Sequence, residues 1–427
     1  MSARGRRAHP FALLMLAACS DGALAPTKPA PTSAADVVYC KELAPNWVAF
    51  QDGDGAWTQA QPTIAGRYAT FHHAFAAQRG GIATAREVLP GFTSLSIQYG
   101  APNELSMVGD TRPDHCAAAF TTALGSVAGL AVNEAAFVSA GYNEREGVLA
   151  GEDNTFTLFP LRPGPQDILA TRTLRTRNGT GATNDGATVT GFILRRSAEL
   201  PDSATLPVLD FNSQEAFQPA VRGLTLAGLG VPPATVQMGF RTANSENLVA
   251  FVASQSASNV SYFAIPDGKL ESGDLQSISA TSAPVLNAVR GVTVYFHSPT
   301  DRTLTFGAPP ITPEISVAST APMVRMRARF VAQADYDRLT SIHYQQAPNV
   351  SVTVAMTGTY AAGRDYDLTM PDLTGVPGFD PRWVLRSGTT LIWTSFLTGG
   401  TLGLGLDAIP VDGSTKRVAT DAGFFTP

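Results

Sequence analysis

The sequence predicts an all-β protein built from tandem small β-sandwich modules, Ig-like or transthyretin-like, and three observations predict it. Short segments with period-two alternation succeed one another along most of the chain, parted by Gly, Pro, Asn and Asp. Glycine (39) and proline (30) are abundant among 427 residues, which favours strands and turns over long helices. Only 15% of residues are charged, and lysine occurs only at 28, 41, 269 and 416, too sparse a supply for the solvent faces of coiled coils or helical solenoids. The formal charge of −5 argues against a nucleic-acid partner, which needs a basic surface. A hydrophobic content of 44% argues against intrinsic disorder.

The chain opens with Arg4, Arg6 and Arg7, followed by an apolar stretch from Phe11 to Ala18. That order, a basic segment and then a short apolar one, is the layout of a secretory signal over 1–18, and the apolar run is too short for a membrane-spanning helix of about 20 residues. Leu16, Ala17, Ala18 and Cys19 resemble the lipobox of bacterial lipoproteins. The resemblance implies a diacylglycerol on the Cys19 sulfur and removal of the residues before it. The chain then becomes a cell-envelope protein whose partner is the membrane, reached through an N-terminal lipid. Ser20 rather than Asp after the cysteine implies, in Gram-negative members of the family, the outer membrane. Residues 19–36 are rich in Pro, Ala, Ser and Thr with almost no large apolar side chain, and read as a flexible tether.

With Cys19 lipidated, Cys40 and Cys116 remain as an even pair, and in an oxidising compartment they are expected to be bridged. Such a bridge would close most of the first unit, 37–118, with a stabilisation of about 4 to 4.5 kcal/mol on the chain-entropy account. Inside this unit Trp47–Gln51 and Ala56–Gln61 flank Asp52-Gly53-Asp54-Gly55, a hairpin turn signal. The strand-like runs 67–75, 81–87 and 94–100 follow.

A second unit is expected over 119–197. Its stretch 124–172 has an alternating strand, a Gly turn, Phe156-Thr157-Leu158, a Pro163-Gly164-Pro165 loop and a final Ile168-Leu169-Ala170 strand. That turn grammar resembles the carboxypeptidase-regulatory-like β-sandwich modules, and the resemblance implies a noncatalytic spacer or binding module with no functional residue to carry over. The third unit, 198–308, ends in the hairpin 291–307, where Val292, Val294 and Phe296 share one face opposite Thr293, Tyr295 and His297. The fourth, 309–427, contains the uncharged stretch 387–406, whose Gly399-Gly400 pair and alternating leucines read as a buried hairpin and not as a membrane span.

Local motifs for chemistry are absent, so no catalytic, cofactor-binding or metal-ligating residue is assigned. Asp52–Gly55 fails the EF-hand spacing at Ala56, Trp57 and Thr63. His72 and His73 fall on opposite faces of one extended segment, and His115, His297 and His343 lack zinc-ligand spacing. There is no G-x-S-x-G elbow, phosphate loop or dinucleotide fingerprint. Two surface features stand out. Arg325, Arg327 and Arg329 alternate with Met326, Ala328 and Phe330, a basic strip suited to an anionic glycan or lipid headgroup, or else a solvated sheet face whose arginines meet acids on the next strand. Trp47, Trp57, Trp383 and Trp393, with Tyr360 and Tyr366, are either core residues or a sugar-stacking platform. The expected function is a noncatalytic binding or structural lipoprotein of the bacterial surface or periplasm, with an anionic glycan or another envelope protein as partner. The competing expectation is a lipid-anchored hydrolase acting on envelope or environmental polymers through a site assembled from distant loops.

Overall fold

In the computed structural model the described residues are 34–109, 120–141, 144–151, 154–162, 164–174, 188–201, 203–230, 234–243, 245–255, 259–404 and 408–427. Every element longer than four residues among them is a strand, so the chain is all-β as its period-two patterning predicts. Of the expected signal and tether, 1–36, residues 1–33 lie outside the described residues, whereas Ala34, Ala35 and Asp36 belong to the strand Ala34–Cys40 and pair with His72–Ala74.

Among the described residues twelve strands form one long sheet. From one edge to the other they are Glu246–Gln255, Ala234–Arg241, Leu275–Ser282, Val289–Phe296, Thr415–Phe425, Leu391–Gly400, Leu339–Gln346, Val350–Thr357, Phe92–Gly100, Gly80–Leu89, Trp47–Asp52 and Trp57–Ala60. Neighbours are antiparallel except where Val350–Thr357 runs parallel to Phe92–Gly100, with Val350 opposite Thr93 and Met356 opposite Tyr99. A sheet of this width must curl or be covered by smaller layers to bury its apolar face. Three smaller sheets supply cover, each of three strands.

Over the Trp47 end, Val37, Tyr39 and Phe71 of the sheet containing Ala34–Cys40 and Tyr68–Ala74 pack with Val48, Phe50 and Ile82. On the opposite face, Met326, Ala328, Phe330 and Leu368 of the sheet Glu314–Ser319, Arg325–Phe330 and Tyr366–Thr369 pack with Trp47, Ala83, Leu95, Ile97, Ile342 and Tyr344. At the far end, Leu224, Leu226, Tyr262 and Leu304 pack with Val236, Met238, Phe240 and Ile278. The remaining segment forms its own small sandwich. Glu144–Leu149, Glu134–Ala140, Gly164–Leu174 and Thr188–Leu200 make one sheet, and Thr155–Leu161, Thr121–Ala128 and Ala204–Thr205 the other, around Val138, Ile168, Ile193, Phe156 and Leu158.

Four hydrophobic cores are thus present among the described residues, roughly one for each expected unit, but the expected boundaries do not part them into separate modules. The first, third and fourth units all contribute strands to the long sheet, and Ser33–Pro427 forms one compact unit. The boundary expected at 197 falls inside the strand Thr188–Leu200, and the second core runs on to Leu209 and Phe211. The physical reason is two-sided burial. Trp47, Val48, Ala49 and Phe50 are all buried, because odd positions face one core and even positions another. Likewise Ile168 and Ala170 enter the second core while Leu169 enters the third.

The Asp52–Gly55 turn forms as expected, joining Trp47–Asp52 to Trp57–Ala60, with Gly55 N donating to Asp52 O at 2.9 Å. The stretch 387–406 departs from its expected hairpin. Leu391–Gly400 pairs instead with Thr415–Phe425, and Gly399 lies so near the 334–336 turn that a Cβ would stand 2.0 Å from the Asp335 carbonyl oxygen. That pair of glycines marks a close backbone approach and a strand end at φ +104° of Gly400, not a two-residue turn.

Candidate functional site

The residues singled out by sequence are distributed as follows. Cys19, Cys116 and His115 lie outside the described residues. Cys40 ends the strand Ala34–Cys40 and is fully buried. His72 and His73 do face opposite ways. His72 Nδ1 meets Asp36 Oδ1 at 2.6 Å on the surface, whereas the His73 ring stacks on Phe50 at 4.9 Å. His297 Nδ1 lies 2.9 Å from the Asp274 carbonyl, and His343 Nδ1 lies 3.0 Å from Thr353 Oγ1. Among the described residues no three His, Cys, Asp or Glu side chains gather to hold a metal ion.

The arginine strip occupies the middle strand of its three-stranded sheet, with Met326, Ala328 and Phe330 buried beneath it. Its guanidinium groups differ in their partners. Arg327 grips Asp367 through two hydrogen bonds, Nε to Oδ1 at 2.9 Å and Nη2 to Oδ2. Arg325 Nε donates to the Met370 carbonyl at 2.8 Å. Arg329 is exposed, with Glu314 and Asp367 opposite it in register. The tryptophans split between core and cleft. Trp47 and Trp393 are buried, as is Tyr366, and Trp47 is flanked by Phe379 and Trp383 at 5.4 and 5.8 Å.

Trp57 belongs instead to a second aromatic group beside a cleft of about 450 Å³. The cleft is walled by Gln51, Asp54, Arg79 and Tyr99 on one side and by Met356, Tyr360, Arg364, Asp365, Asp367 and Thr369 on the other. The parallel pairing of Phe92–Gly100 with Val350–Thr357 creates it, since it sets Tyr99 opposite Met356. The chain then turns at once through the short helix Gly358–Ala361, whose first turn is capped by Thr357 Oγ1 accepting from Tyr360 N at 3.2 Å. This places the Tyr360 ring 5.4 Å from that of Tyr99, tilted by 46°. Trp57 meets Tyr99 edge-on at 6.3 Å, over Gly81, where a Cβ would stand 2.8 Å from the indole.

On the cleft's rim Arg79 lies with its guanidinium carbon 5.2 Å from the Tyr360 ring centre and donates to Asp54 Oδ2 at 2.5 Å. Asp54 comes from the turn whose other carboxylate, Asp52, accepts from Ala76 N and Ala77 N at 2.8 and 2.9 Å. Those two backbone donors hold Asp52 below the usual carboxylate range. Desolvation pushes the Tyr99 hydroxyl well above its ordinary value, with the neighbouring Tyr360 adding to it. Desolvation raises Tyr360 also, against the opposing pull of Arg79. The Arg327 hydrogen bond keeps Asp367 below its usual range, against a smaller effect of burial. The cleft therefore presents protonated phenols, an ionised and clamped carboxylate and a guanidinium laid on an aromatic face. Those groups accept and donate hydrogen bonds, and none is poised as a nucleophile.

Sequence reasoning missed Arg79, Tyr99 and Arg364, and read Asp54 only as part of its turn. A usable signal was the Gly80-Gly81 pair inside a strand-like run, since glycine there marks close approach. A Cβ at Gly80 would stand 2.3 Å from the Gln51 carbonyl oxygen. A second, more open depression of about 620 Å³ is bordered by Arg222 and Asp301, but their polar atoms serve the backbone, with Arg222 Nε donating to the Pro299 carbonyl and Asp301 Oδ1 accepting from Gly223 N. No family model matches the chain, and no curated protein matches it.

Proposed function

We propose that the protein is a noncatalytic binding protein of a bacterial cell envelope, anchored at the outer membrane by lipid on Cys19, and that its ligand enters the Tyr99–Tyr360 cleft. The observation that carries the binding role is the cleft itself, where two segments distant in sequence converge and where charges are paired and phenols kept protonated. Asp367, held below the usual carboxylate range by Arg327, is not set up as a general acid.

The anchor rests on Leu16-Ala17-Ala18-Cys19 behind a basic segment and a short apolar one. Several acyl chains at about 0.8 kcal/mol per buried methylene make such attachment stable. Cys116 is the proposed partner of Cys40. Gly109, close before Cys116 in the chain, packs on the strand that ends in Cys40, where a Cβ would stand 2.1 Å from the Val38 carbonyl oxygen. The 124–172 stretch, with its carboxypeptidase-regulatory-like turn grammar, serves as a noncatalytic spacer.

Metabolic labelling with a palmitate analogue is expected to mark the wild type and to lose its signal in Cys19→Ala. Equal labelling of the variant would remove the anchor. Screening the purified chain on glycan, ester and peptide substrates is expected to give no turnover. Sustained turnover abolished by Asp54→Asn or Asp367→Asn would replace the binding reading with the hydrolase.

A further inference from the structure

We infer that the cleft recognises an uncharged glycan, and that the neighbouring arginine strip is not a binding site for acidic polymers. The inference rests on the reading of the cleft as the binding site and names its ligand class. Charge balance is the first ground. The cleft wall carries the carboxylates Asp54, Asp365 and Asp367 and the guanidinium groups of Arg79 and Arg364, while Arg327 stands behind Asp367 as its bidentate partner. The lining thus carries three acids against two bases, with Arg327 behind Asp367. An anion entering here would gain little net field. Drawing Arg327 toward it would also break the bidentate Arg327–Asp367 pair.

Hydrogen-bonding chemistry is the second ground. A carboxylate only accepts and a guanidinium only donates, so an Asp–Arg pair offers the two functions side by side. A sugar hydroxyl has both, and a vicinal diol satisfies such a pair by donating to the carboxylate while accepting from the guanidinium. Asp54–Arg79 and Asp367–Arg327 each provide this fork, and Thr369 Oγ1, already donating to Asp367 Oδ1 at 2.7 Å, extends the second.

The aromatic floor is the third ground. Tyr99 and Tyr360, with Trp57 behind them, give an apolar surface with polar tips, which suits the C–H face and the hydroxyl edge of a pyranose together. Both phenols keep their protons and so remain donors. The volume of about 450 Å³ falls within the range of about 300 to 1,000 Å³ for small-ligand sites, room for a short saccharide.

The test uses the full chain purified in detergent and titrated calorimetrically with neutral oligosaccharides of glucose, mannose and galactose, and in parallel with alginate and polygalacturonate. At least one neutral series is expected to bind, with an affinity unchanged between 0.1 M and 1 M NaCl, although the Debye length falls from about 10 Å to about 3 Å. Tyr360→Ala is expected to weaken that binding about tenfold, the size of one aromatic contact, with the melting transition retained. Tyr360→Phe, which keeps the ring, is expected to retain most of the affinity and guards against a folding defect in the alanine variant. An Arg325→Gln, Arg327→Gln, Arg329→Gln triple variant is expected to leave acidic-polymer binding as absent as before.

Salt-sensitive binding of alginate or polygalacturonate that disappears in Tyr360→Ala would overturn the ligand class while leaving the cleft as the binding site. Neutral-glycan binding that survives Tyr360→Ala would overturn the cleft. Failure of every neutral series to bind would overturn the inference outright.

Discussion

His73 is an imidazole held where a cation is unwelcome. Its ring lies flat on Phe50 and edge-on to Phe75 at 4.6 Å, and its Nε2 is buried without a hydrogen-bond partner. Desolvation lowers its pKa below the ordinary 6.5, and the Asp52 carboxylate offsets this only in part. Between the depressed folded value and 6.5 the unfolded chain binds the proton and the folded chain does not. The stabilisation is therefore complete above pH 6.5 and is lost as the pH falls from there toward the folded pKa. His343, lowered by burial on a central strand of the long sheet, adds in the same direction. The urea midpoint is expected to fall between pH 7 and pH 5, and His73→Phe, which keeps an aromatic slab in the slot, is expected to reduce that fall. An identical fall in the variant would mean that folding leaves the proton affinity of His73 unchanged. At this scale the sequence was informative about direction and silent about partners. Alternation correctly sets His72 against His73 and Arg327 against Met326, because period two is a local property of an extended backbone. It could not show that Asp367, some 40 positions away, would clamp Arg327, because that pairing depends on which strand lies alongside.

Strand-level behaviour follows from what covers each face. Trp47–Asp52 and Gly164–Leu174 are buried on both sides, and Ala83 and Ala85 of Gly80–Leu89 stay small beneath the Trp47 side chain's core while Ile82 fills the other. A run such as Trp-Val-Ala-Phe reads equally well as one-sided alternation, so the sequence predicts the strand and leaves its second cover unseen. The strand Ala34–Cys40 is that cover, and it depends on its anchorage. It pairs only with Tyr68–Ala74 among the described strands, and Pro102–Leu105 and Ser106–Val108 pack along it, with Ser106 Oγ accepting from Asp36 N at 3.2 Å. A Cys40–Cys116 bridge would fix the end of this edge strand to the chain beyond Gly109. Nonreducing peptide mapping is expected to recover that pair from envelope-extracted protein, and Cys116→Ser is expected to lower unfolding stability by about 4 kcal/mol on the chain-entropy account. Recovery of Cys116 as a free, alkylatable thiol would sink the pairing.

The whole molecule behaves as its long sheet dictates. Turn signals near 118 and 308 suggest separate modules because Pro, Gly and polar clusters punctuate every β-protein, and nothing local distinguishes a linker from a crossover between strands of one sheet. The all-β class was legible for the opposite reason, since it needs only local period. The cleft was half legible. Tyr360 could be singled out as an aromatic of interest, but Arg79 and Tyr99 acquire meaning only when Phe92–Gly100 lies parallel to Val350–Thr357, a pairing across some 250 positions that no window of sequence contains. A consequence can be tested with fragments. The fourth unit, 309–427, lacks in isolation the neighbour that covers the edge of Val350–Thr357. It also lacks Trp47, Ala49, Ala83, Ala85, Leu95 and Ile97, all buried in the same core as its own Ile342, Tyr344, Val352 and Val354. Those positions would leave apolar surface and a row of unpaired backbone groups facing water, which favours aggregation over folding. The fragment 309–427 alone is expected to show no cooperative unfolding transition, while the full chain unfolds this core together with the 47–100 strands in one step. Adding a separately produced 34–118 segment is expected to restore the transition only if its strand Phe92–Gly100 can dock in register. A sharp, native-like transition in the isolated fragment would mean that the fourth unit folds without its parallel neighbour, and that the long sheet is assembled from modules already complete.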